Sequence, residues 1–289
     1  MIRGKKIGFM PSGSYTKMSV EEVCESIKRI GYDAVEWPQS FASPRNHSLT
    51  DLEHLVKTTY SFDLEISEVV VQQDLVLNDE VQRRDRIDFI KQCLEAYSSL
   101  GIETINLFTG PVPWGSRPLI IGSGITEGKA WDMVFEAFDE LVPVAERTNV
   151  NIAVENVWGM ICNDFFSLKF LIDHYRSTRL GVNYDPSHDI LAGHTDIGWI
   201  VRQLGVNHIK HVHLKDAVGL NVAGKFLFPL PGEGKVDWKS FAQVFDEIGY
   251  QGVMSVEFES FDYVSRILGG DWEKAAQLAF NNYKILFGQ

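Results

Sequence analysis

Residues 152–185 read IAVENVWGMICNDFFSLKFLIDHYRSTRLGVNYD, and this stretch contains the repeating unit from which the fold is predicted. Its first residues, Ile152–Asn156, are apolar until a terminal Glu-Asn pair, which is typical of a parallel strand covered on both faces. An amphipathic segment, Phe165–Tyr175, predicts a helix, and a second apolar strand, Gly181–Asp185, follows it. The stretch therefore predicts a strand–helix–strand unit in which the two strands run parallel.

The same alternation extends along the whole chain. Six further strands are predicted at Lys6–Met10, Ala34–Trp37, Leu64–Val71, Thr104–Thr109, Ile209–Lys215 and Val253–Phe258. Eight strands in strict alternation with helices favour one domain, residues 1–289, folded as a single α/β (β/α)8 TIM barrel. An open, doubly wound sheet is the alternative, but no G-x-G-x-x-G motif follows the first strand.

Capping residues indicate where the helices begin and end. Ser19–Glu22 and Thr50–Glu53 have the pattern of capping boxes, and Asn78 is expected to cap the helix that runs to Leu100. Glycines are expected just beyond the ends of three helices, at Gly31, Gly101 and Gly249.

Composition excludes several classes of protein. Of the 289 residues, 45% are apolar and 23% are charged, so the chain is neither disordered nor fibrous. The 27 basic and 39 acidic residues give a formal net charge of −12. This balance disfavours nucleic acid or an anionic membrane as the main partner, because both attract clustered cations.

Cysteine usage and the amino terminus indicate the compartment. Cys24, Cys93 and Cys162 are odd in number and form no C-x-x-C pair, as in a reduced protein. No signal-peptide core follows Met1–Lys6, and no uncharged stretch reaches about 18 residues. We therefore expect a cytoplasmic protein with neither a membrane nor a nucleic-acid partner.

Polar side chains occur where the later strands end, on the face of the barrel that carries active sites. Glu155, Asp185, His213 and Glu257 end the fifth to eighth strands. Carboxylates in apolar strands are costly to bury without a partner or a metal. Together the four residues form an oxygen-rich donor set that predicts one divalent ion, Mn²⁺ first, with Mg²⁺, Co²⁺ or Zn²⁺ as alternatives. His211 shares a strand face with His213 and is expected either as a ligand or beside one.

These segments resemble the sugar phosphate isomerase/epimerase family, the xylose-isomerase-like barrels that include ketose 3-epimerases, hydroxypyruvate isomerases and inosose dehydratases. The resemblance runs along essentially the whole chain and is carried by Gly31–Glu36, Val154–Asn156, Asn183–His188, His211–Asp216, Pro231–Gly234 and Ser255–Glu257. It implies a metal on Glu155, Asp185, His213 and Glu257, with His188 against the substrate. It also implies a homodimer or homotetramer.

The reaction that the resemblance implies begins with deprotonation next to a carbonyl of a sugar or keto-sugar. A metal bound by that carbonyl acidifies the neighbouring C–H, and a carboxylate then removes the proton to give an enediolate. Glu155 and Glu257 are the expected catalytic pair. Proton return to the opposite face gives an epimerase and return to the adjacent carbon an isomerase. Loss of a β-substituent gives the alternative, a dehydratase or lyase acting on a keto-sugar, an inosose or a 3-keto-glycoside.

Further substrate contacts are predicted at the same strand ends and in the loops that follow them. The candidates are Glu36, Trp37, Trp114, Trp158, His188, His211 and Lys215. No cluster of Arg and Lys suggests a phosphate clamp, so Lys215 is the candidate for an anionic or polar group of the substrate. The tryptophans offer flat apolar faces for a sugar ring.

The chain departs from its relatives at three positions. Gly219 and Ile161 stand where ketose 3-epimerases have a substrate-binding Arg and Glu, which disfavours a free-ketose 3-epimerase. Val157 stands where some keto-glycoside lyases have His, which disfavours a lyase without excluding it.

Two other classes of protein fit the sequence less well than a sugar isomerase or epimerase. An AP endonuclease-like DNA repair barrel needs extra His ligands, but the second strand ends in Glu36-Trp37 and Phe226–Trp238 contains no His. A non-catalytic sugar-sensing barrel would lack a metal ligand, and all four are present.

Overall fold

Eight parallel strands close into a barrel in the computed structural model, which describes residues 4–115 and 117–288. Strands adjacent in the chain are adjacent in the barrel, and the last pairs with the first, with Ile7 opposite Met254. The barrel strands are β1 Ile7–Phe9, β2 Ala34–Trp37, β3 Glu65–Val70, β4 Thr104–Leu107, β5 Asn151–Glu155, β6 Leu180–Tyr184, β7 Ile209–Leu214 and β10 Met254–Val256. A two-stranded antiparallel hairpin, β8 Val218–Gly219 and β9 Phe226–Leu227, lies after β7.

Helices cover the outside of the barrel. They are α1 Val20–Ile30, α2 Gln39–Ala42, α3 Leu49–Ser61, α4 Glu80–Leu100, α5 Glu127–Thr148, α6 Phe165–Tyr175, α7 Pro186–Ala192, α8 Ile197–Leu204, α9 Trp238–Glu247, α10 Phe261–Arg266 and α11 Trp272–Phe287. A short 3-10 helix, Gly13–Lys17, follows β1. No helix in the described part of the chain is both long enough and apolar enough to cross a membrane.

This architecture confirms the predicted (β/α)8 barrel, and each predicted strand overlaps an observed one. That residues 1–289 form a single domain stays a prediction, and residues 1–3, 116 and 289 lie outside the described residues. The short helices α2, α7 and α10 and the hairpin were not predicted, because elements of two to seven residues carry too little periodic signal.

Helix caps are partly as predicted. The capping box at Ser19 and Glu22 is present, and Gly31 and Gly101 end α1 and α4 in left-handed conformations. Two predicted caps are wrong by one or two residues. Asp79 rather than Asn78 caps α4, and α3 begins with a box formed by Ser48 and Asp51 rather than by Thr50 and Glu53.

Strand alternation separates the interior of the barrel from the layer beneath the helices. Small residues such as Gly8 and Ala34 lie low in the barrel, and a Cβ on Gly8 would come within 2.7 Å of Ser255 Oγ. Nearer the carboxyl ends of the strands, polar side chains point inward and contact one another across the barrel, for example Glu36 and His213. The alternate residues, such as Val35 and Trp37, are buried against the helices.

Replacing the observed cap of α3 tests this correction. Ser48→Ala removes the side-chain acceptor of the Asp51 N–H and should lower the free energy of unfolding by about 0.5–2 kcal/mol. Thr50→Ala is the control, because Thr50 is exposed within the first helical turn and should change stability by less than about 0.5 kcal/mol. Denaturant unfolding of both variants decides the point. A larger loss of stability for Thr50→Ala than for Ser48→Ala would instead support Thr50 as the cap of α3.

Candidate active site and metal centre

Four side chains predicted as metal ligands meet at the carboxyl end of the barrel. Glu155, Asp185, His213 and Glu257 project from β5, the end of β6, β7 and the end of β10, and one potential ligand atom of each lies within 4.8 Å of the others. All four are buried. The close approach follows from the topology, because the carboxyl ends of neighbouring parallel strands share one rim of the barrel.

Amide side chains orient Glu155. Its Oε2 accepts hydrogen bonds from Gln72 Nε2 at 3.0 Å and Asn106 Nδ2 at 3.1 Å. Its Oε1 lies 3.1 Å from His213 Nδ1. With Oε2 occupied by two donors, Oε1 is the oxygen that faces the other candidate ligands.

Asp185 is held by the neighbouring strand and by the helix that follows it. Asn156 Nδ2 donates to the Asp185 carbonyl at 2.9 Å, and the Asp185 N–H donates to Asn156 Oδ1 at 3.2 Å. Asp185 Oδ1 accepts from the Ser187 N–H at 2.8 Å. The second oxygen, Oδ2, is buried and accepts no hydrogen bond of good geometry.

The chemistry of the donor set fits a divalent cation, and Asp185 Oδ2 accepts no hydrogen bond of good geometry although Lys215 Nζ lies 2.9 Å away. Three carboxylates and one imidazole form a hard set of ligands, and buried carboxylates are stable only when paired or metal-bound. Glu155, Asp185, His213 and Glu257 are therefore suited to hold the ion together.

Lys215 supplies positive charge to the same group. Its Nζ lies 2.9 Å from both Asp185 Oδ2 and Glu259 Oε2, and it also pairs with Glu257. Burial disfavours the ammonium, but these carboxylates outweigh burial and raise the pKa of Lys215 well above its usual value. Lys215 was predicted to meet an anionic or polar group of the substrate; it lines the cavity among acidic side chains, and its role toward a substrate stays a prediction.

A second cluster lies directly beneath, inside the barrel. Glu36 Oε1 lies 3.0 Å from His213 Nε2, and Glu36 Oε2 lies 3.2 Å from His211 Nε2. His211 Nε2 also lies 3.0 Å from Ser255 Oγ. Burial opposes ionisation of Glu36, but the two imidazoles outweigh it and lower the pKa of Glu36 below its usual value. An ionised Glu36 accepts a hydrogen bond from His213 Nε2–H, which orients His213 Nδ1 toward the carboxylates above.

Glu68 and Asn183 complete this second cluster and were missed at the sequence level. Asn183 Nδ2 lies 3.2 Å from Glu68 Oε1 and 3.0 Å from His213 Nε2. Burial and then the charge of Glu36 raise the pKa of Glu68 well above its usual value. A signal for Asn183 was available in the sequence, because it is a polar residue within an apolar strand, whereas Glu68 shares its strand with Glu65 and Ser67.

A cavity of about 770 Å³ opens above the candidate ligands. Glu155 and Glu257 lie at its floor, and of the predicted substrate contacts His188, Lys215, Trp114 and Trp158 line it. The structure thus brings these residues together on the active-site face.

Three other predicted substrate contacts, Glu36, Trp37 and His211, do not line the cavity. Trp37 faces the opposite side of β2 from Glu36; its indole is fully buried and donates to Thr59 Oγ1 of α3. Its position at a strand end suggested the site, but strand alternation directs it into the outer core. Glu36 and His211 point inward but lie below the candidate ligands, where Glu36 contacts both His213 and His211.

His188 is fixed as a neutral imidazole. Its Nδ1 accepts from the Trp158 N–H at 3.3 Å, which leaves the proton on Nε2, 3.4 Å from Asp185 Oδ2. Burial, helped by the positive charge of Lys215 and His213, lowers the pKa of His188 well below its usual value. The ring therefore presents an N–H donor toward the candidate metal ligands.

Asp216 anchors the loop that covers one side of the cavity. Its carboxylate accepts from the backbone N–H groups of Gly232, Gly234 and Val236 and from Trp238 Nε1, at 2.9–3.1 Å. A Cβ on Gly234 would lie 1.9 Å from Asp216 Oδ1. This close approach explains the Pro-Gly-Glu-Gly segment, whose role the sequence alone left undefined.

Comparison with known proteins identifies the family. A family model described as the xylose isomerase-like TIM barrel matches residues 24–282. The match covers most of the chain, and the chain therefore belongs to this family.

Curated relatives are distant. An inosose dehydratase of Geobacillus thermodenitrificans is 25% identical over 156 residues, which are 49% of this chain and 51% of that protein. An inosose isomerase of Bacillus velezensis is 24% identical over 267 residues, 89% of this chain and 90% of that protein. The chain thus spans about half the length of the dehydratase it matches.

Solved structures share the fold at low identity. The IOLI protein with a bound zinc atom superposes with a TM-score of 0.77 at 19% identity and covers 98% of both chains. A 3-keto-D-glucoside 4-epimerase from E. coli superposes with a TM-score of 0.75 at 17% identity and covers 99% of this chain and 100% of its own.

Neutralising the carboxylate beneath His213 should weaken metal binding without touching a ligand. Glu36→Gln removes the charge that holds the proton on His213 Nε2, and the expected result is about 10–100-fold weaker Mn²⁺ binding. Competition against a metal-indicator dye measures this affinity.

The control is Glu65→Gln on β3, whose exposed carboxylate pairs with Lys6. Its Mn²⁺ affinity should stay within about twofold of the parent, the change that ordinary surface substitutions of about 0.5 kcal/mol produce. Equal affinities in both variants would show that Glu36 does not orient the ligand.

Proposed function

We propose that this chain is a divalent-metal-dependent sugar isomerase or epimerase that deprotonates a carbon next to the carbonyl of a sugar or keto-sugar. The observation that carries the proposal is the pair of carboxylates, Glu155 and Glu257, at the floor of the cavity beside Asp185 and His213. The similarity to an inosose isomerase over 89% of the chain supports the same reading.

The proposed cofactor is one Mn²⁺ ion held by Glu155, Asp185, His213 and Glu257. When bound, it would polarise the substrate carbonyl and lower the pKa of the adjacent C–H. The three carboxylates favour a hard cation, and Zn²⁺ is the alternative because the IOLI protein binds zinc.

Glu155 and Glu257 divide the proton transfers in this proposal. Two amide donors occupy Glu155 Oε2, so Oε1 is the oxygen that takes the proton from the substrate carbon. Glu257 comes from β10, which is separated from β5 by β6 and β7, and it returns a proton from the other side. His188 Nε2–H is placed to donate to a substrate oxygen.

A dehydratase or lyase remains the second candidate. The first step is the same, and the inosose dehydratases that match part of the chain favour it. The outcomes differ only in whether the deprotonated substrate is reprotonated or loses a β-substituent, so product analysis separates them.

Solvent exchange tests the proposed first step. In D₂O, the Mn²⁺-loaded protein should place deuterium at a carbon next to the carbonyl of at least one member of a panel of ketoses, inososes and keto-glucosides. Glu155→Gln and Glu257→Gln should each slow exchange by about 10²–10⁴-fold, the contribution of a positioned acid or base. Mass spectrometry and NMR measure the label.

Three controls accompany this experiment. Glu95→Gln, an exposed helix position paired with Arg147, should exchange at the parental rate. Asp185→Asn and chelator-treated protein should lose bound metal and exchange together. Exchange that is absent with every substrate class, or that persists after the metal is removed, would refute the proposed function.

We also propose a cytoplasmic homodimer or homotetramer. Phe166, Phe170 and Trp199 are half exposed on α6 and α8, and Phe170 packs edge-on against Trp131 of α5. Exposed aromatic patches of this kind are typical of protein interfaces. The three cysteines are free and buried, as in a reduced compartment.

Charge placed in this patch should disrupt the assembly. Light scattering should give the mass of a dimer or tetramer for the parent and a smaller mass for Phe170→Asp, because a buried carboxylate without a partner opposes association. Val81→Asp, at an 80% exposed position of α4, is the control and should keep the parental mass. A monomeric parent would contradict the proposal.

A further inference from the structure

We propose that the substrate is a neutral glycoside: a keto-sugar ring at the candidate metal centre that carries an aromatic or otherwise apolar aglycone in the outer part of the cavity. The position of the sugar ring rests on the proposed function. The site for the aglycone rests on the cavity itself.

The cavity is larger than one sugar ring requires. Its volume of about 770 Å³ would hold roughly 25 water molecules at about 30 Å³ each. Pockets of about 300–1,000 Å³ bury drug-sized ligands rather than single rings. A free hexose bound at the ligands would leave most of the outer cavity to solvent.

The lining changes character from the floor to the mouth. At the floor, Glu155 and His188 are 1% and 2% exposed and offer polar groups. At the mouth, Trp114, Leu227 and Phe261 are 50%, 64% and 55% exposed and offer apolar surface. A ligand that matches both ends has a polar part that reacts and an apolar part that does not.

Aromatic rings connect the two ends in one continuous wall. Ring centroids lie 5.6 Å apart for His188 and Phe228, 5.2 Å for Phe228 and Phe226, and 4.8 Å for Phe226 and Trp158. The ring centroids of Trp158 and Trp114 lie 6.2 Å apart. One sugar ring stacks on one or two of these faces, whereas a wall of this length matches a second, flat group attached to the sugar.

Charge at the mouth disfavours an anionic substituent. Among the described residues that line the cavity, the basic side chains are His188 and Lys215, and Lys215 is already paired with Asp185, Glu257 and Glu259. Glu233 and Asp262 add negative charge near the opening. A phosphate or carboxylate on the aglycone would meet repulsion there, so the aglycone is expected to be neutral.

Binding of a matched pair of glucosides tests the aglycone site. Titration calorimetry with the Mn²⁺-loaded full chain compares phenyl and methyl glucosides, using both anomers of each. The phenyl glucoside should bind about tenfold more tightly, the factor that one well-placed aromatic contact contributes.

Two variants test whether side chains at the mouth of the cavity produce the preference for the phenyl glucoside. Trp114 follows β4 and Phe261 begins α10, and Trp114→Ala and Phe261→Ala should each reduce the phenyl-to-methyl affinity ratio by about two- to tenfold. Both side chains are half exposed, so truncation is compatible with folding. Tyr60→Ala, an exposed aromatic of α3 outside the cavity, should leave the ratio unchanged.

Deuterium exchange with the 3-keto forms of the same glucosides separates this inference from the proposed function. Equal affinity for phenyl and methyl glucosides, or equal ratios in all variants, would overturn the aglycone site even if both keto forms exchange. A phenyl preference that is lost in Trp114→Ala, with no exchange in either keto form or in any member of the wider substrate panel, would refute the proposed function and support the aglycone site.

Discussion

The carboxyl end of this barrel depends on compensation of buried negative charge. Glu36, Glu68, Glu155, Asp185 and Glu257 are all buried inside it. An unpaired buried carboxylate costs several kcal/mol, so this arrangement is stable only with cations, protons or amide donors close by. Each is present: imidazoles from β7, the Lys215 ammonium, and amide donors such as Gln72 and Asn106.

His213 joins the two layers of this network. Its Nε2 faces Glu36 and its Nδ1 faces Glu155 and Glu257, so the lower carboxylate determines which nitrogen is available to the upper group. A divalent ion held by Glu155, Asp185 and Glu257 would leave one negative charge uncompensated. Lys215, 2.9 Å from Asp185 Oδ2, is placed to balance that charge. This accounts for a lysine among candidate metal ligands, where a cation would otherwise oppose metal binding.

The sequence was sufficient for the barrel and for the convergence of the four candidate ligands, because both depend on local patterns. Apolar runs define the strands, and the polar residue that ends each strand must lie on one rim. The side-chain partners of these residues could not be predicted from local patterns. The contacts of Lys215 with carboxylates and of Glu36 with His213 join strands that are far apart in the chain. The outward direction of the Trp37 side chain could have been predicted, because strand alternation places it on the opposite face of β2 from Glu36.

The candidate catalytic groups and the cavity wall come from different parts of the fold. The candidate ligands and bases lie at the ends of barrel strands, and their supporting contacts lie inside the barrel. The cavity wall comes instead from the loops: Trp114 after β4, Trp158 after β5, Phe226 and Phe228 in and after the hairpin, and Phe261 after β10. Loops can change without disturbing the strands that hold the ligands. Structures at 17–19% identity superpose over nearly the whole chain and share this barrel. In the proposed complex, the apolar part of the substrate contacts the aromatic wall and the reacting part lies at the candidate metal centre.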